Sequence, residues 1–231
     1  MSDRENGADA FGRLAHRWDE LRHTYLGNQF HLEALTALLP RDWHVLDLGT
    51  GTGYLLPVLS GHFREVTAVD PSEAMLELAE RRARQLGLEN VTFHHGTMES
   101  LELSDDSVEA VFAILVFHHI EHPARTLREL GRVMKPGGRI LILELEAHEN
   151  EEFQREMGDP VRGSPPDQLK AALVEAGLQP EIERRLDLGP ESGAEKKAPD
   201  LYLVRARNQQ HHLDNRSIHL KYGTPDWRAQ Q

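Results

Sequence analysis

The sequence of 231 residues predicts a doubly wound α/β fold with a mostly parallel, seven-stranded sheet and an antiparallel hairpin at one edge. Short apolar runs alternate with amphipathic segments from about residue 43 to residue 145, which is typical of repeated strand–helix units. Glycines follow the first of these runs, where a strand turns into a helix. Two later strand-like runs, joined by the polar loop 189–199, predict the hairpin.

The predicted elements follow one another along the chain. Strands are expected at residues 43–48, 65–70, 91–96, 108–115, 139–145, 181–188 and 200–206. Helices are expected at about 8–22, 29–39, 54–61, 72–86, 123–134 and 165–176, the first because its apolar residues recur at spacings of three and four. Ser72 is the expected N-cap of the fourth helix and Gly87 its C-cap. A KPGG turn at 135–138 is expected before the fifth strand.

Charge and composition disfavour several classes of partner. The formal charge of -12 would repel a phosphate backbone, because nucleic-acid binding draws most of its affinity from Lys and Arg. Cysteine is absent from the sequence, and His94 and His95 have no partner at a recognised ligand spacing, so no metal is expected. The longest apolar run, Ala110–Phe117, is too short to cross a bilayer and the N-terminus lacks a signal-peptide pattern, so we expect no membrane span and a cytoplasmic location.

A glycine-rich turn follows the first predicted strand. In VLDLGTGTG, Gly49, Gly51 and Gly53 stand where a tight turn needs positive φ and where a ligand meets backbone without Cβ atoms. Asp70 ends the next strand, where Rossmann-like folds place the carboxylate that accepts hydrogen bonds from a ribose diol. Taken singly, these residues also fit a turn without a ligand. Together they predict a ligand that carries a ribose.

Dinucleotides and S-adenosylmethionine both fit this geometry. The dinucleotide pattern has a further glycine three residues after its second, and here Tyr54 stands at that position. Asp47 adds a carboxylate that suits a ligand with an ammonium group and would repel a pyrophosphate. S-adenosylmethionine is therefore favoured. The alternatives are a nicotinamide-dependent oxidoreductase and a non-catalytic S-adenosylmethionine-binding regulator.

Several motifs resemble those of class I S-adenosylmethionine-dependent methyltransferases, in particular the branch of the menaquinone and ubiquinone methyltransferases. They are VLDLGTGTG, AVDPSEAML, FHHGTMESL and the longer stretch LVFHHIEHPARTLRELGRVMKPGG. The segments WDELR and AHENEEFQREMGDPVRGSPPDQL resemble the methyltransferase half of proteins that are fused to a winged-helix repressor. The resemblance covers roughly residues 8–206.

The resemblance implies S-adenosylmethionine as cofactor and gives each part of the site a role. Asp47 would lie near the methionine ammonium, Asp70 on the ribose and Met75 against the adenine. Thr97 stands where relatives often carry Asp, so the adenine amino group is expected to meet the Thr97 hydroxyl or Glu99. The full predicted cofactor-binding set is Asp47, Gly49, Thr50, Gly51, Gly53, Asp70, Pro71, Met75, Thr97, Met98, Glu99 and Leu115.

Methyl transfer from a sulfonium requires alignment and exclusion of water more than a protein nucleophile. A neutral hydroxyl or amine acceptor additionally needs a base, for which His118 and Glu144 are the candidates, with His119 beside them. The alternative for His118 is a packing or hydrogen-bonding role below the cofactor.

Three parts of the chain are expected: a helical lid at 1–40, an S-adenosylmethionine-binding methyltransferase domain at 41–207 and a polar tail at 208–231. Phe11, Trp18, Arg22 and Tyr25 are the predicted lid residues over donor and acceptor, or else pack on the sheet. The predicted acceptor is a small molecule. The sequence does not predict the oligomeric state.

Overall fold

The computed structural model describes residues 17–26, 36, 38–120, 122–157, 162–186 and 198–209. Most of the predicted helix at 29–39, Phe11, the loop 187–197 and the tail from residue 210 lie outside this part of the chain. The described helices are α1 (Trp18–Leu26), α2 (Leu56–His62), α3 (Glu73–Leu86), α4 (Pro123–Val133), α5 (Glu151–Met157) and α6 (Pro166–Glu175), with a 3-10 turn at Phe117–His119. The strands are β1 (His44–Leu48), β2 (Glu65–Asp70), β3 (Val91–His95), β4 (Val108–Ile114), β5 (Met134–Leu145), β6 (Leu178–Leu186) and β7 (Leu201–Asn208).

Within the described residues, seven strands form one sheet in the order β3-β2-β1-β4-β5-β7-β6. The strands from β3 to β5 are parallel, whereas β7 is antiparallel to both β5 and β6. The predicted fold class, including the edge hairpin, is confirmed. Because β2 lies on one side of β1 and β4 on the other, the strand order reverses here and opens a crevice at the carboxyl ends of β1 and β4.

Helices cover both faces of the sheet. Successive strand residues point to opposite faces, so β4 places Val111 and Ala113 in one apolar cluster and Ala110 and Phe112 in another. Helices α4 and α6 contribute to the first cluster, and α2 and α3 to the second. A third cluster lies at the carboxyl end of β5, where α1 and α5 pack. This third cluster borders the crevice.

The predicted caps of α3 are confirmed. The side chain of Ser72 accepts a hydrogen bond from the backbone N–H of Met75, and Gly87 ends the helix in the left-handed conformation. The cap holds the first turn of α3 directly after the end of β2.

The structure differs from the predictions at several elements. The KPGG segment is part of β5, because the register against β4 shifts between Val108 and Ala110 and takes up the extra residues as a bulge. Helix α1 continues past Arg22 to Leu26. Helix α5 has no predicted counterpart, since its short, mostly charged sequence buries only Phe153 and Met157.

A buried side chain joins the end of β7 to the junction of α4 and β5. Asn208 is buried, and its Nδ2 donates to the carbonyl oxygens of Gly131 at 3.0 Å and Met134 at 2.8 Å. The last carbonyls of a helix have no partner within the helix, so Asn208 provides one from a neighbouring strand.

Replacement of Asn208 tests this contact. Asn208→Leu leaves two buried carbonyl groups without a donor, and each such group costs about 1–3 kcal/mol. We expect the free energy of unfolding, measured in urea, to fall by about 2 kcal/mol or more. Gln168→Leu, on the exposed side of α6, is the matched control and should change it by less than about 0.5 kcal/mol. Equal small effects of both variants would contradict this role.

Candidate active site

The turn between β1 and α2 holds glycine backbone against the end of β2. The backbone N–H of Gly49 donates to the carbonyl of Val69 at 2.8 Å. A Cβ on Gly53 would lie 3.0 Å from the Cα of Ala79, so glycine at this position allows α3 to pack closely. A Cβ on Gly51 would meet no atom within 4 Å. The backbone of Gly51, with a φ of 55°, therefore faces open space where a ligand can approach it.

Asp47 lies on β1 just before this turn. Its side chain is buried, and Oδ2 accepts a hydrogen bond from the hydroxyl of Thr50 at 2.6 Å. Burial raises the pKa of Asp47 to about 7, although the hydrogen bond favours the charged form. No described Lys or Arg side chain forms an ion pair with it. Asp47 therefore has unused capacity to hold a cationic group.

Asp70 connects the end of β2 to the glycine turn and to α3. Its Oδ2 accepts from the backbone N–H of Gly51 at 2.8 Å, and its Oδ1 from that of Ser72 at 2.9 Å. Burial raises the pKa of Asp70 to about 6, and the two N–H groups oppose that rise. The carboxylate of Asp70 is bonded to the backbone of Gly51 and is not among the groups that line the cavity at the carboxyl ends of the strands.

That cavity has a volume of roughly 80 Å³. Sites that enclose a whole ligand usually have roughly 300–1,000 Å³, so this cavity has room for only part of a nucleoside-sized ligand. The lining residues come from α1, the end of β1, the glycine turn, the end of β4, the 3-10 turn, the end of β5 and α5. They are Arg22, Asp47, Gly49, Thr50, Gly51, Thr52, Tyr54, Leu55, Ile114, Leu115, His118, Leu145, Phe153 and Met157.

One wall of the cavity is apolar and includes a strained residue. Leu145, Phe153 and Met157 belong to the third apolar cluster and are buried. Leu115 has a φ of 58°, a left-handed conformation that residues with a Cβ rarely adopt. Its backbone N–H donates to the carbonyl of Leu143 at 2.8 Å, which helps to hold this conformation. Strained backbone of this kind occurs preferentially at functional sites.

His118 and Glu144 form a buried pair on the cavity wall. His118 Nδ1 lies 2.6 Å from Glu144 Oε1, and the carboxylate also accepts from the backbone N–H groups of His118 at 3.2 Å and Leu145 at 2.6 Å. Glu144 has 0% of its surface exposed. In the tautomer in which His118 donates to Glu144 through Nδ1, Nε2 is the ring nitrogen that can take a proton. The pair thus has the arrangement of a base oriented by a carboxylate.

Helix α1 is attached to the glycine turn by hydrogen bonds. Asp19 accepts from the hydroxyl of Thr52 at 2.7 Å and pairs with Arg82 of α3. Arg22 places its guanidinium on the ring of Tyr54, with Cζ 3.4 Å from the ring centroid. These contacts position α1 over the carboxyl edge of the sheet.

The predicted lid residues occupy different places. Arg22 lines the cavity, whereas Tyr25 is buried beside it, with its ring 4.9 Å from that of Phe153 and its hydroxyl donating to Glu156 at 2.8 Å. Phe11 and the side chain of Trp18 lie outside the described structure.

The residues predicted for the adenine end lie apart from the cavity. Met75 is buried at the start of α3, and Met98 is buried close to Gly49. Pro71 is half-buried and its carbonyl accepts from the ring of His95 at 3.0 Å. Thr97 is exposed, and Glu99 is half-buried. These positions surround the ends of β2 and β3, on the Asp70 side of the glycine turn.

Several wall residues were not predicted from the sequence. Thr52 lies within the glycine motif and Tyr54 directly follows it, so the motif could have identified both. Phe153 and Met157 are four residues apart, the spacing that places two side chains on one face of a helix. The remaining unpredicted wall residues are Leu55, Ile114 and Leu145.

No helix in the described part of the chain is long and apolar enough to cross a membrane. No group of three or more His, Asp or Glu side chains in the same residues could hold a metal ion.

Comparison with known proteins defines the class. Residues 46–142 match the protein family described as a methyltransferase domain. The crystal structure of an S-adenosylmethionine-dependent methyltransferase from Aquifex aeolicus is 25% identical, with a TM-score of 0.65 and coverage of 85% of this chain and 98% of that one. Residues 46–142 are thus a methyltransferase domain, for which S-adenosylmethionine is the implied cofactor.

Two curated relatives are similar over part of their length. An uncharacterized methyltransferase of Bacillus subtilis, YcgJ, is 35% identical over 124 residues, which are 54% of this chain and 49% of the relative. The demethylmenaquinone methyltransferase of Clavibacter sepedonicus is 41% identical over 100 residues, or 43% of this chain and 40% of the relative. The chain spans about half the length of the curated relatives it matches.

The raised pKa values of Asp47 and Asp70 predict a pH-dependent stability. A carboxyl group whose pKa is raised on folding stabilises the fold below its unfolded pKa, and this contribution is lost as the pH rises through the folded values of about 6 and 7. Asp47→Asn cannot ionise, so its melting temperature relative to the wild type should increase from pH 4 to pH 8. Asp42→Asn, at an exposed turn, is the control and should show a constant difference. If the difference in melting temperature between Asp47→Asn and the wild type is also constant, burial of Asp47 does not make stability depend on pH.

Proposed function

We propose that the protein transfers the methyl group of S-adenosylmethionine to a small-molecule acceptor by in-line displacement. The observation that carries the proposal is the pair of buried carboxylates, Asp47 and Asp70, beside the open backbone of Gly51. Buried carboxylates require charge or hydrogen-bond partners, and described Lys and Arg side chains provide neither. The donor provides an ammonium group, a sulfonium and two ribose hydroxyls.

The donor fits these residues as follows. Asp47 would accept from the ammonium group, and the methionine part would lie along Gly49, Thr50 and Gly51. Asp70 would accept from the ribose hydroxyls, since each carboxylate oxygen can accept more than one hydrogen bond and already receives one backbone N–H. Gly53 would support the turn from behind. The positions proposed around the adenine are Pro71, Met75, Thr97, Met98 and Glu99, with Leu115 near the donor on the cavity wall.

Entry of the donor requires movement of α1. The cavity of roughly 80 Å³ is too small for the whole molecule, and Arg22 and Asp19 hold α1 against the glycine turn. We infer that α1 moves away when the donor enters and returns to exclude water. When bound, the sulfonium supplies an activated methyl group, and the walls of the cavity align the acceptor with it.

The apolar wall supports a small, largely apolar acceptor. Leu145, Phe153 and Met157 offer no charge, and the chain charge of -12 disfavours nucleic acid. A demethylmenaquinone methyltransferase among the relatives fits an acceptor of this kind. The proposal includes three further expectations from the sequence. The protein is related to the methyltransferase half of winged-helix fusion proteins, its chain divides at residues 40 and 207, and it is located in the cytoplasm.

His118 is the proposed base, and Glu144 its positioning partner. A hydroxyl or acidic C–H of the acceptor would give its proton to His118 Nε2 while its electron pair attacks the methyl carbon and the bond from carbon to sulfur breaks. Glu144, at 2.6 Å from Nδ1, would stabilise the imidazolium that results. The proton then passes to solvent when the products leave.

Donor binding provides the first test. S-adenosylhomocysteine should raise the melting temperature by mass action, while NAD should not. Asp70→Ala should weaken S-adenosylhomocysteine binding by about 1.5–3 kcal/mol in calorimetry, because hydrogen bonds to a charged group are lost.

Glu77→Ala, an exposed acid of α3, is the matched control and should leave the affinity unchanged. Stabilisation by NAD alone would favour the oxidoreductase. Binding without turnover over a panel of phenols, amines and enolisable ketones would favour a non-catalytic regulator.

The His118–Glu144 pair is tested by turnover. His118→Asn should lower kcat by about 100-fold or more on an accepted phenol or ketone, as loss of a general base typically does, with S-adenosylhomocysteine affinity unchanged. Glu144→Gln should lower kcat and alter its pH profile. Glu146→Gln, at the same strand end and paired with Arg185, should do neither. A His118→Asn variant with unchanged kcat would assign His118 to packing alone.

A further inference from the structure

Arg22 carries polar groups that the described protein does not satisfy. Its guanidinium stacks on Tyr54, but stacking covers only the face of the group, while the N–H bonds lie in its plane. Nε and Nη1 are both buried, and neither has a hydrogen-bond partner among the described residues. A buried N–H group without an acceptor destabilises the fold, and more so when the group is charged.

No acidic side chain among the described residues accepts a hydrogen bond from Nε or Nη1 of Arg22. Asp19, three residues earlier on α1, accepts from Thr52 and pairs with Arg82. Asp47, on the cavity wall, accepts from Thr50. Since Arg22 itself lines the cavity, an acceptor for its N–H groups can come from a molecule bound there.

We propose that Arg22 binds a carboxylate or similar oxyanion of a ligand in this cavity, an inference that rests on the proposed function. Two sources fit this chemistry. One is the α-carboxylate at the methionine end of the donor, which would pair with Arg22 while the ammonium group pairs with Asp47. The other is an anionic group on the acceptor. In both cases the stack on Tyr54 fixes the plane in which the N–H groups are offered.

Calorimetry with two thioether nucleosides tests whether the anion that binds Arg22 belongs to the donor. S-adenosylhomocysteine carries the α-carboxylate, and 5′-methylthioadenosine lacks the whole amino-acid part. Arg22→Met keeps an unbranched side chain against Tyr54 but removes the charge. We expect it to weaken S-adenosylhomocysteine binding by about 10- to 100-fold and 5′-methylthioadenosine binding by less than about 2-fold. Arg22→Lys keeps the charge without the planar group. Its affinity for S-adenosylhomocysteine should lie between that of the wild type and that of Arg22→Met.

A second pair of probes tests the acceptor as the source. With S-adenosylhomocysteine saturating, the wild type would bind benzoate more tightly than benzamide, and Arg22→Met would remove this preference without changing the affinity for S-adenosylhomocysteine. Arg17→Met, at an exposed arginine directly before the same helix, is the matched control and should behave as wild type throughout.

The possible results separate cleanly. A loss of affinity for S-adenosylhomocysteine alone, or a loss of the preference for benzoate alone, supports the proposal and identifies the molecule that carries the anion. Equal loss for both nucleosides, or no change in either arm, would overturn it and leave Arg22 as a packing residue. A wild type that binds neither nucleoside would remove the proposed function itself.

Discussion

One carboxylate holds the geometry of the site together. Asp70 accepts one backbone N–H from the glycine turn and another from Ser72, and Ser72 in turn caps α3. The end of β2, the turn after β1 and the start of α3 therefore form a single hydrogen-bonded unit. The close packing of Gly53 on Ala79 fixes the same unit from the other side. The open backbone of Gly51 is available to a ligand because its neighbours are held in this way.

This arrangement destabilises the folded chain. Two carboxyl groups are buried side by side, and their raised pKa values express the unfavourable free energy of charging them there. Glu144 shows the opposite solution, since it is fully buried yet bonded to an imidazole and to two backbone N–H groups. The buried carboxylate of Glu144 is thus satisfied within the protein, whereas the carboxylate of Asp47 can accept further hydrogen bonds from a ligand.

The sequence predicted the elements that depend on local patterns. The strands, the caps of α3 and the glycine turn each follow from residues that are close in the chain, so spacing alone identified them. The cavity wall depends on contacts between distant segments. Phe153 meets Tyr25 only after α1 and α5 have docked, and no local period indicates that contact. The partnership of His118 with Glu144 likewise depends on the register of β4 and β5, although both residues were predicted singly.

The arrangement of the cavity walls also bears on how such a protein can diversify. The family match ends at residue 142 and begins at residue 46, so Arg22 precedes the shared region while Phe153 and Met157 follow it. The shared region carries Asp47, the glycine turn and Asp70, and the segments outside it form much of the remaining wall. Exchange of those flanking helices among related proteins would thus re-shape the apolar wall of the cavity while Asp47, the glycine turn and Asp70 stay intact, so that one fold can acquire new acceptors.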